Sequence, residues 1–379
     1  MRRSFLKKNL LFWGQGRGIR RKNSNRNPVY FEIRMNAIRK RQRLSVLIVL
    51  VCCLILINIV FLYKDNNVIP YSEFTYPVKM NFSENYKVFK TEGRQPAFNI
   101  INPHPFKYIH LRKKCKFKEN GTPSLLILVK STVNNFHLRD AARTTWGNST
   151  GENIEIAFLL AHREAEQPEV DKEAALYGDI VQESFLDSYM NNTYKTIMGF
   201  NWAVQFCGQA SHIVFVDDDH YLNIQNLLTF IETLNALNKG DLMIGNLLKH
   251  SIPYRSRFSR WSVSLQQYPF DRYPPYLAGA VYLVSRDTAN KMVFAFPYVK
   301  YLGIDDAYLG IVARKVGIEL QHEETFIIPP FLLYTDPSQV VYGEFKDVTD
   351  FEIVNRVLHR FAEVKMCIFT WKCQFSFLL

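Results

Sequence analysis

The sequence predicts an α/β domain, a mostly parallel central sheet with helices on both faces, behind one N-terminal transmembrane helix. Three observations predict it. Strand-like runs alternate with helical stretches from Ser124 onward. The runs are apolar on both faces, as strands covered on two sides must be. Leu44 to Tyr63 is a run of twenty residues without a charge, long enough to cross a bilayer as a helix.

Ser124–Lys130, Ile154–Leu160 and Asp179–Val181 read as strands. Phe136–Trp146, Glu164–Leu176, Thr193–Phe206 and Ile224–Leu237 read as helices. His212–Val216 reads as a central strand. Leu277–Ser285 is a later strand, rich in small residues where a ligand or another backbone could come close. At 47% hydrophobic and 14% aromatic, the chain can bury a large core.

A buried core helix is the plain alternative for Leu44–Tyr63, but such helices are rarely apolar all round for so long. A cleaved signal peptide would have a shorter apolar region and a small-residue cleavage site. Arg39, Lys40, Arg41 and Arg43 precede the run, which puts that side in the cytosol and everything after Tyr63 in the lumen or outside. Residues 1–43 hold fourteen Lys or Arg and one acid, Glu32. They account for all of the formal +12, so the folded part is not basic and nucleic acid is not a partner.

Four N-glycosylation acceptors follow the span, at Asn81, Asn120, Asn148 and Asn191. Cys115, Cys207, Cys367 and Cys373 also follow it, an even number in an oxidising compartment. Four cysteines allow three pairings. Cys367 and Cys373 are near enough in sequence to close a small loop, leaving Cys115 for Cys207. No Cys-x-x-Cys pair supports a zinc site instead. The expected order is a cytosolic tail over 1–43, an anchor over 44–63, a stem over 64–120 and a catalytic domain over 121–379.

Asp217, Asp218 and Asp219 follow the central strand directly. Ligand sites of open α/β sheets lie at that end of the strands. Three adjacent carboxylates repel one another, and Mg²⁺ or Mn²⁺ would relieve the repulsion. A solvated acidic turn is the plain alternative. Arg139 and Arg143 stand at i and i+4, a spacing able to grip a diphosphate or to leave two solvated arginines. Lys195 lies near the start of a helix, a suitable place for an anion. Tyr273-Pro-Pro-Tyr276-Leu-Ala-Gly279 offers aromatic faces to a sugar ring, or a packed corner. Asp305-Asp306 is a second acidic pair between apolar residues. Partial burial would raise a carboxylate pKa and make a base. If Asp305 caps the following helix its pKa is low, which leaves Asp306 as the base.

In this order the segments resemble the β-1,3-glycosyltransferases of the secretory pathway. The likeness rests on Arg139-x-x-x-Arg143-x-Thr-Trp146, Asp187-x-Tyr-x-Asn-x-Thr-x-Lys195-Thr196, the Asp217–Asp219 triplet, Tyr273–Gly279, and Asp305-Asp306-Ala307-Tyr308-x-Gly310. A last segment carries His359, Met366 and Trp371. Ala307 stands where the family usually has Val. The likeness covers roughly Leu125 to Cys373 and leans to the invertebrate brainiac-type branch. It implies a GT-A fold, a UDP-galactose or UDP-N-acetylglucosamine donor, Mn²⁺ and inversion at the anomeric carbon. It implies a type II Golgi membrane enzyme acting on a glycan acceptor of glycolipid or glycoprotein. It implies Asp219 as the direct metal ligand with Asp217 and His359, and Asp217 and Asp218 at the diphosphate. Arg139, Arg143 and Lys195 would hold the nucleotide, and Asp306 or Asp305 would be the base. The rivals are a catalytically inactive relative that binds glycans or assists another transferase, and a membrane-anchored adhesion protein. Oligomeric state is not readable.

Overall fold

The computed structural model describes residues 28–370 apart from 66–67, 76–78, 119–123, 150, 152, 237–239 and 329–335. In the terminal helices the side chains of 28–31, 33–34, 58–65 and 363–370 are outside the description. The chain divides into two compact units, Met1–Asn67 and Val68–Leu379.

The first unit contains helix α1, Pro28–Asp65. It takes in the whole expected span. Among the described residues no helix is long and apolar enough to cross a membrane; described side chains of the span run from Leu44 to Ile57.

The second unit runs α2 (Phe82–Glu92), β1 (Tyr108–His110), β2 (Leu125–Lys130), α3 (Phe136–Thr144), β3 (Ile154–His162), α4 (Gln167–Tyr177), β4 (Ile180–Leu186), α5 (Asn192–Phe206), β5 (His212–Asp217) and β6 (His220–Leu222). It continues with α6 (Ile224–Ala236), β7 (Met243–Leu248), β8 (Tyr276–Ser285), α7 (Arg286–Ala295), α8 (Asp305–Val316), β9 (Gln321–His322), β10 (Val341–Gly343) and α9 (Val348–Thr370).

Eight strands form one sheet in the order β1-β4-β3-β2-β5-β8-β7-β9, and β10 pairs with β6 in a second. The strands β4, β3, β2 and β5 are parallel. Beyond β5 the sheet changes: β8 lies antiparallel to both β5 and β7. The sheet is therefore mixed, where a mostly parallel one was expected. An apolar run such as Leu277–Ser285 carries no sign of direction.

Helices cover both faces, as the two-sided strands require. Leu126 and Leu128 of β2 join one core with α5, α7 and α8. Leu125, Ile127 and Val129 of the same strand join another with α3, α4, α6 and α9. Cys115 and Cys207 are disulfide-bonded, tying the segment before β2 to the end of α5. The other expected bridge, Cys367–Cys373, lies outside the described residues.

Packing on this unit begins well before Gly121. Asn81 caps α2 by accepting from the Glu84 amide at 3.2 Å. Tyr86 and Phe89 meet Phe294 of α7 with ring centroids 5.4 and 5.3 Å away. Asn102 donates to the Tyr308 hydroxyl at 2.9 Å, and β1 adds to the sheet edge. Much of the expected stem is thus part of the folded unit. Its anchors are single side chains on short elements, which leave no sustained period to read.

Candidate active site

Parallel register puts Lys130 and Asp217 on one rung, at the carboxyl ends of β2 and β5. Lys130 is buried, and its Nζ reaches Asp217 Oδ1 at 2.9 Å, Asp305 Oδ2 at 3.1 Å and the Gly279 carbonyl at 3.0 Å. Three donors meet three acceptors, so the ammonium is satisfied. Burial works against its charge, but Asp217 and Asp305 hold its pKa well above the ordinary lysine value.

Asp305 and Asp306 open α8. Ile304 occupies the N-cap and no side chain caps the helix. The expectation that Asp305 is the cap is therefore corrected: it is the first helical residue, and its partners are Lys130 and the Thr196 hydroxyl, which donates at 3.1 Å. Burial would raise Asp305, yet the Lys130 charge and these hydrogen bonds hold it below the usual carboxylate range. Among the described residues Asp306 accepts only from the Ala307 amide, at 2.6 Å. Burial, and then the neighbouring charge of Asp305, push Asp306 up to about 7. Two adjacent carboxylates are thereby set apart, one fixed as the anion and one poised to exchange a proton near neutrality.

The triplet divides as well. Asp217 pairs with Lys130. Asp218 is buried and accepts from Ser131 Oγ at 2.6 Å and Asn135 Nδ2 at 2.9 Å, which ties the β5–β6 turn to the loop after β2. Asp219 keeps 40% of its side chain exposed. Its Oδ1 lies 2.5 Å from His220 Nδ1, without the geometry of a hydrogen bond. Burial would raise Asp219, but His220 holds it below its ordinary range, as an anion. His220 is seated against Gly343 of β10; a Cβ there would fall 2.0 Å from the ring.

Three residues expected at the nucleotide do other work. Arg139 is fully buried. It donates to Glu173 through two nitrogens at 2.9 and 2.6 Å, to Ser131 Oγ at 2.9 Å and to the Thr132 and Val133 carbonyls at 2.7 and 3.2 Å. Arg143 holds Asp179 at 2.8 and 2.9 Å and Glu173 at 2.7 Å, between the rings of Phe158 and Tyr177. Lys195 is buried on Asp187 at 3.1 Å and the Ser131 carbonyl at 2.6 Å. Arg139 and Lys195 thus brace the loop after β2, while Arg143 ties α3 to Glu173 of α4 and to Asp179 before β4. Asp218 belongs with them rather than with a diphosphate. His359 is exposed on α9. Among the described residues no hydrogen bond or ion pair joins it to Asp217 or Asp219.

Among the described residues no group of three His, Cys, Asp or Glu side chains could hold a metal ion. Asp219 nonetheless offers an ionised carboxylate whose Oδ1 faces His220 while 40% of the side chain stays exposed. That suits a hard cation taking one carboxylate and completing its shell with substrate phosphates.

Lys130 was the residue sequence reasoning missed. The signal was present: a lysine closing an otherwise apolar strand, beside the strand that ends in three aspartates.

Residues 137–324 match the family model described as Galactosyltransferase. The Drosophila melanogaster protein named Beta-1,3-galactosyltransferase brn is 37% identical over 205 residues, covering 53% of this chain and 63% of that one. The Mus musculus protein named Lactosylceramide 1,3-N-acetyl-beta-D-glucosaminyltransferase is 30% identical over 334 residues, covering 84% of this chain and 88% of that one. The solved apo structure of the WbbM bifunctional glycosyltransferase matches with a TM-score of 0.35 and 12% identity, over 66% of this chain and 53% of that one, a likeness too slight to argue from. The chain is a hexosyltransferase. It belongs to the galactosyltransferase family of β-1,3-glycosyltransferases, and the likeness to the brainiac-type branch stands in the match to brn.

Proposed function

We propose that this chain is a Golgi type II membrane enzyme that moves galactose or N-acetylglucosamine from a UDP-sugar to the 3-hydroxyl of a glycan acceptor, on glycolipid or glycoprotein, with inversion. Its catalytic unit would be of GT-A type. The observation that carries the reading is the Lys130–Asp305–Asp306 arrangement at the carboxyl edge of the sheet.

Inversion needs one base and no covalent intermediate. Asp306 accepts the proton from the acceptor hydroxyl. That oxygen forms its bond to the anomeric carbon as the bond to UDP breaks, and the leaving UDP takes the electron pair. A positioned base contributes on the order of 10²–10⁴-fold. Lys130 keeps Asp305 charged, and that charge keeps the Asp306 pKa high enough to accept a proton near neutral pH. Asp219 would hold Mn²⁺, which when bound supplies positive charge for the phosphates of the leaving nucleotide.

The anchor is supported by α1. Leu47, Leu50, Leu54 and Ile57 are more than half exposed along it, a surface that a bilayer would cover. The basic residues at 39–43 support an N-terminal side in the cytosol.

The test is a panel of UDP-sugars and acceptor glycosides with the full-length protein in detergent. Transfer from UDP-galactose or UDP-N-acetylglucosamine to a 3-hydroxyl, with the product β-linked, is the expected result. Binding of UDP or glycan with no turnover on any pair would favour the inactive relative.

A further inference from the structure

Several side chains near the acidic pair touch one another and yet stay uncovered. Trp261 is 40%, Tyr254 58% and Tyr189 40% exposed. The Tyr254 and Trp261 rings lie 5.6 Å apart between centroids. The Arg260 guanidinium stands 4.6 Å from the Trp261 ring centroid and 5.4 Å from that of Tyr189. Large rings usually go to a core; here they are organised and left to solvent.

Two sets of contacts fix this group beside Asp306. On one side, the segment carrying Tyr189 is tied to the turn before α8. The Thr193 hydroxyl donates to the Leu302 carbonyl at 2.6 Å, and the Tyr301 hydroxyl donates to the Met190 carbonyl. A Cβ at Gly303 would fall 2.5 Å from Met190 Cε. On the other side, Gly310 lies one turn after Asp306, on the same face of α8. A Cβ there would fall 2.5 Å from Tyr276 Cβ, and one at Gly279 would fall 3.5 Å from Asp306 Cβ. The loop that carries Tyr254, Arg260 and Trp261 runs from β7 to this same Tyr276. It is held in shape by Arg255, which donates to the Val263 and Phe270 carbonyls at 2.8 Å each.

We propose that Trp261, with Tyr254 and Arg260, forms the platform on which a neutral pyranose ring of the acceptor stacks, presenting its hydroxyl to Asp306. The inference rests on the transfer reaction proposed above. An indole face suits the C–H face of a pyranose. Arg260 stands over the Trp261 and Tyr189 rings, and its N–H groups can serve ring hydroxyls.

The experiment measures donor and acceptor constants separately on full-length protein, with soluble p-nitrophenyl pyranosides as acceptors. Trp261→Ala should raise the acceptor KM roughly tenfold while UDP affinity and donor KM stay within about twofold. Trp261→Phe should recover most of the loss. Phe258→Ala, on the same loop and fully exposed, should change neither constant. Unchanged acceptor KM in both Trp261→Ala and Arg260→Ala overturns the proposal. So does an equal rise in donor and acceptor constants with a lowered Tm, which would mark a role in holding the fold. Intact kinetics with weaker binding to phosphatidylcholine vesicles would assign the surface to lipid and overturn it too. Absence of transfer by the wild type overturns the underlying reading, and the platform with it; UDP binding still present in that case would locate the failure in turnover.

Discussion

Lys130 and Asp217 share a rung of adjacent parallel strands, and the lysine's ammonium lies 2.9 Å from the carboxylate. The same nitrogen reaches Asp305 at the start of α8. One buried cation therefore joins the sheet edge to the helix that presents Asp306. Opposite charge in a dry site is worth far more than on the surface, and here it decides which of two neighbouring carboxylates stays ionised.

Removing that cation strands two carboxylates. Lys130→Met should cost about 3 kcal/mol of stability, because a buried pair has lost one partner. Turnover should fall by roughly 10²-fold as the acidic pair loses its order. Urea melts and kcat on the purified variant check both. A variant as stable and as active as the wild type would show that the lysine is incidental.

Arg139→Gln should act on the fold and not on the ligand. The guanidinium is buried with Glu173 and the loop after β2, so its loss should cost about 3 kcal/mol and leave UDP affinity unchanged below the melting transition. Isothermal titration with UDP on the folded fraction is the check. A large loss of UDP affinity at unchanged Tm would return Arg139 to the nucleotide.

Much of this arrangement was legible beforehand, and the rest was hidden for physical reasons. Strand ends and helix ends followed from apolar runs and their period, as at Asn192–Phe206 and His212–Asp217. The direction of β8 was not legible, because pairing sense is set by the path of the chain and not by the strand's residues. The acidic residues were found, and the unlike roles of Asp305 and Asp306 with them, but the tie of Asp218 to Ser131 and Asn135 was not. A charged residue in a motif looks the same whether it faces a ligand or braces a loop. Arg139, Lys195 and Asp218 are braces because they are buried with partners, and only packing shows that. The low pKa of Asp305 was expected from a helix cap; it comes instead from Lys130, a residue 175 positions away.

Asp219→Ala should abolish the Mn²⁺-dependent part of UDP binding, since Asp219 is held as an anion with 40% of its side chain exposed. Asp218→Asn should instead destabilise the β5–β6 turn, because Asp218 receives two hydrogen bonds there. UDP titrations with and without chelator on each variant separate the two. Equal loss of the manganese effect in both would return Asp218 to the ligand set.

Asn191 should carry no glycan in the folded protein. Its Nδ2 donates to the Leu186 carbonyl at 2.8 Å, and the Thr193 hydroxyl is buried on the Leu302 carbonyl. Asn81 and Asn148 are exposed, and the Asn81 Nδ2 is held by the Glu84 carboxylate one turn away at 3.1 Å, with no tie to a distant segment. Glycopeptide mapping of protein from a secretory cell is the measurement. A glycan on Asn191 at high occupancy would mean that the turn before α5 opens.

The central claim is that Asp306 is the base and Asp305 its charged neighbour. A base works as the carboxylate, so activity should rise with pH through about 7, the value to which burial and Asp305 push Asp306. The stability relation has the opposite sign. With its folded pKa above the unfolded one, Asp306 contributes stability that is full below the ordinary carboxylate range and lost as pH rises through about 7. Asp306→Asn should therefore raise Tm more at pH 8 than at pH 5. The most direct measurement is kcat against pH for wild type, Asp306→Asn and Asp305→Asn, with UDP affinity measured alongside. The account predicts that Asp306→Asn keeps UDP affinity, loses roughly 10²-fold or more in kcat and loses the limb near pH 7. A normal kcat and an intact limb in Asp306→Asn, with Asp305→Asn inactive, would contradict it.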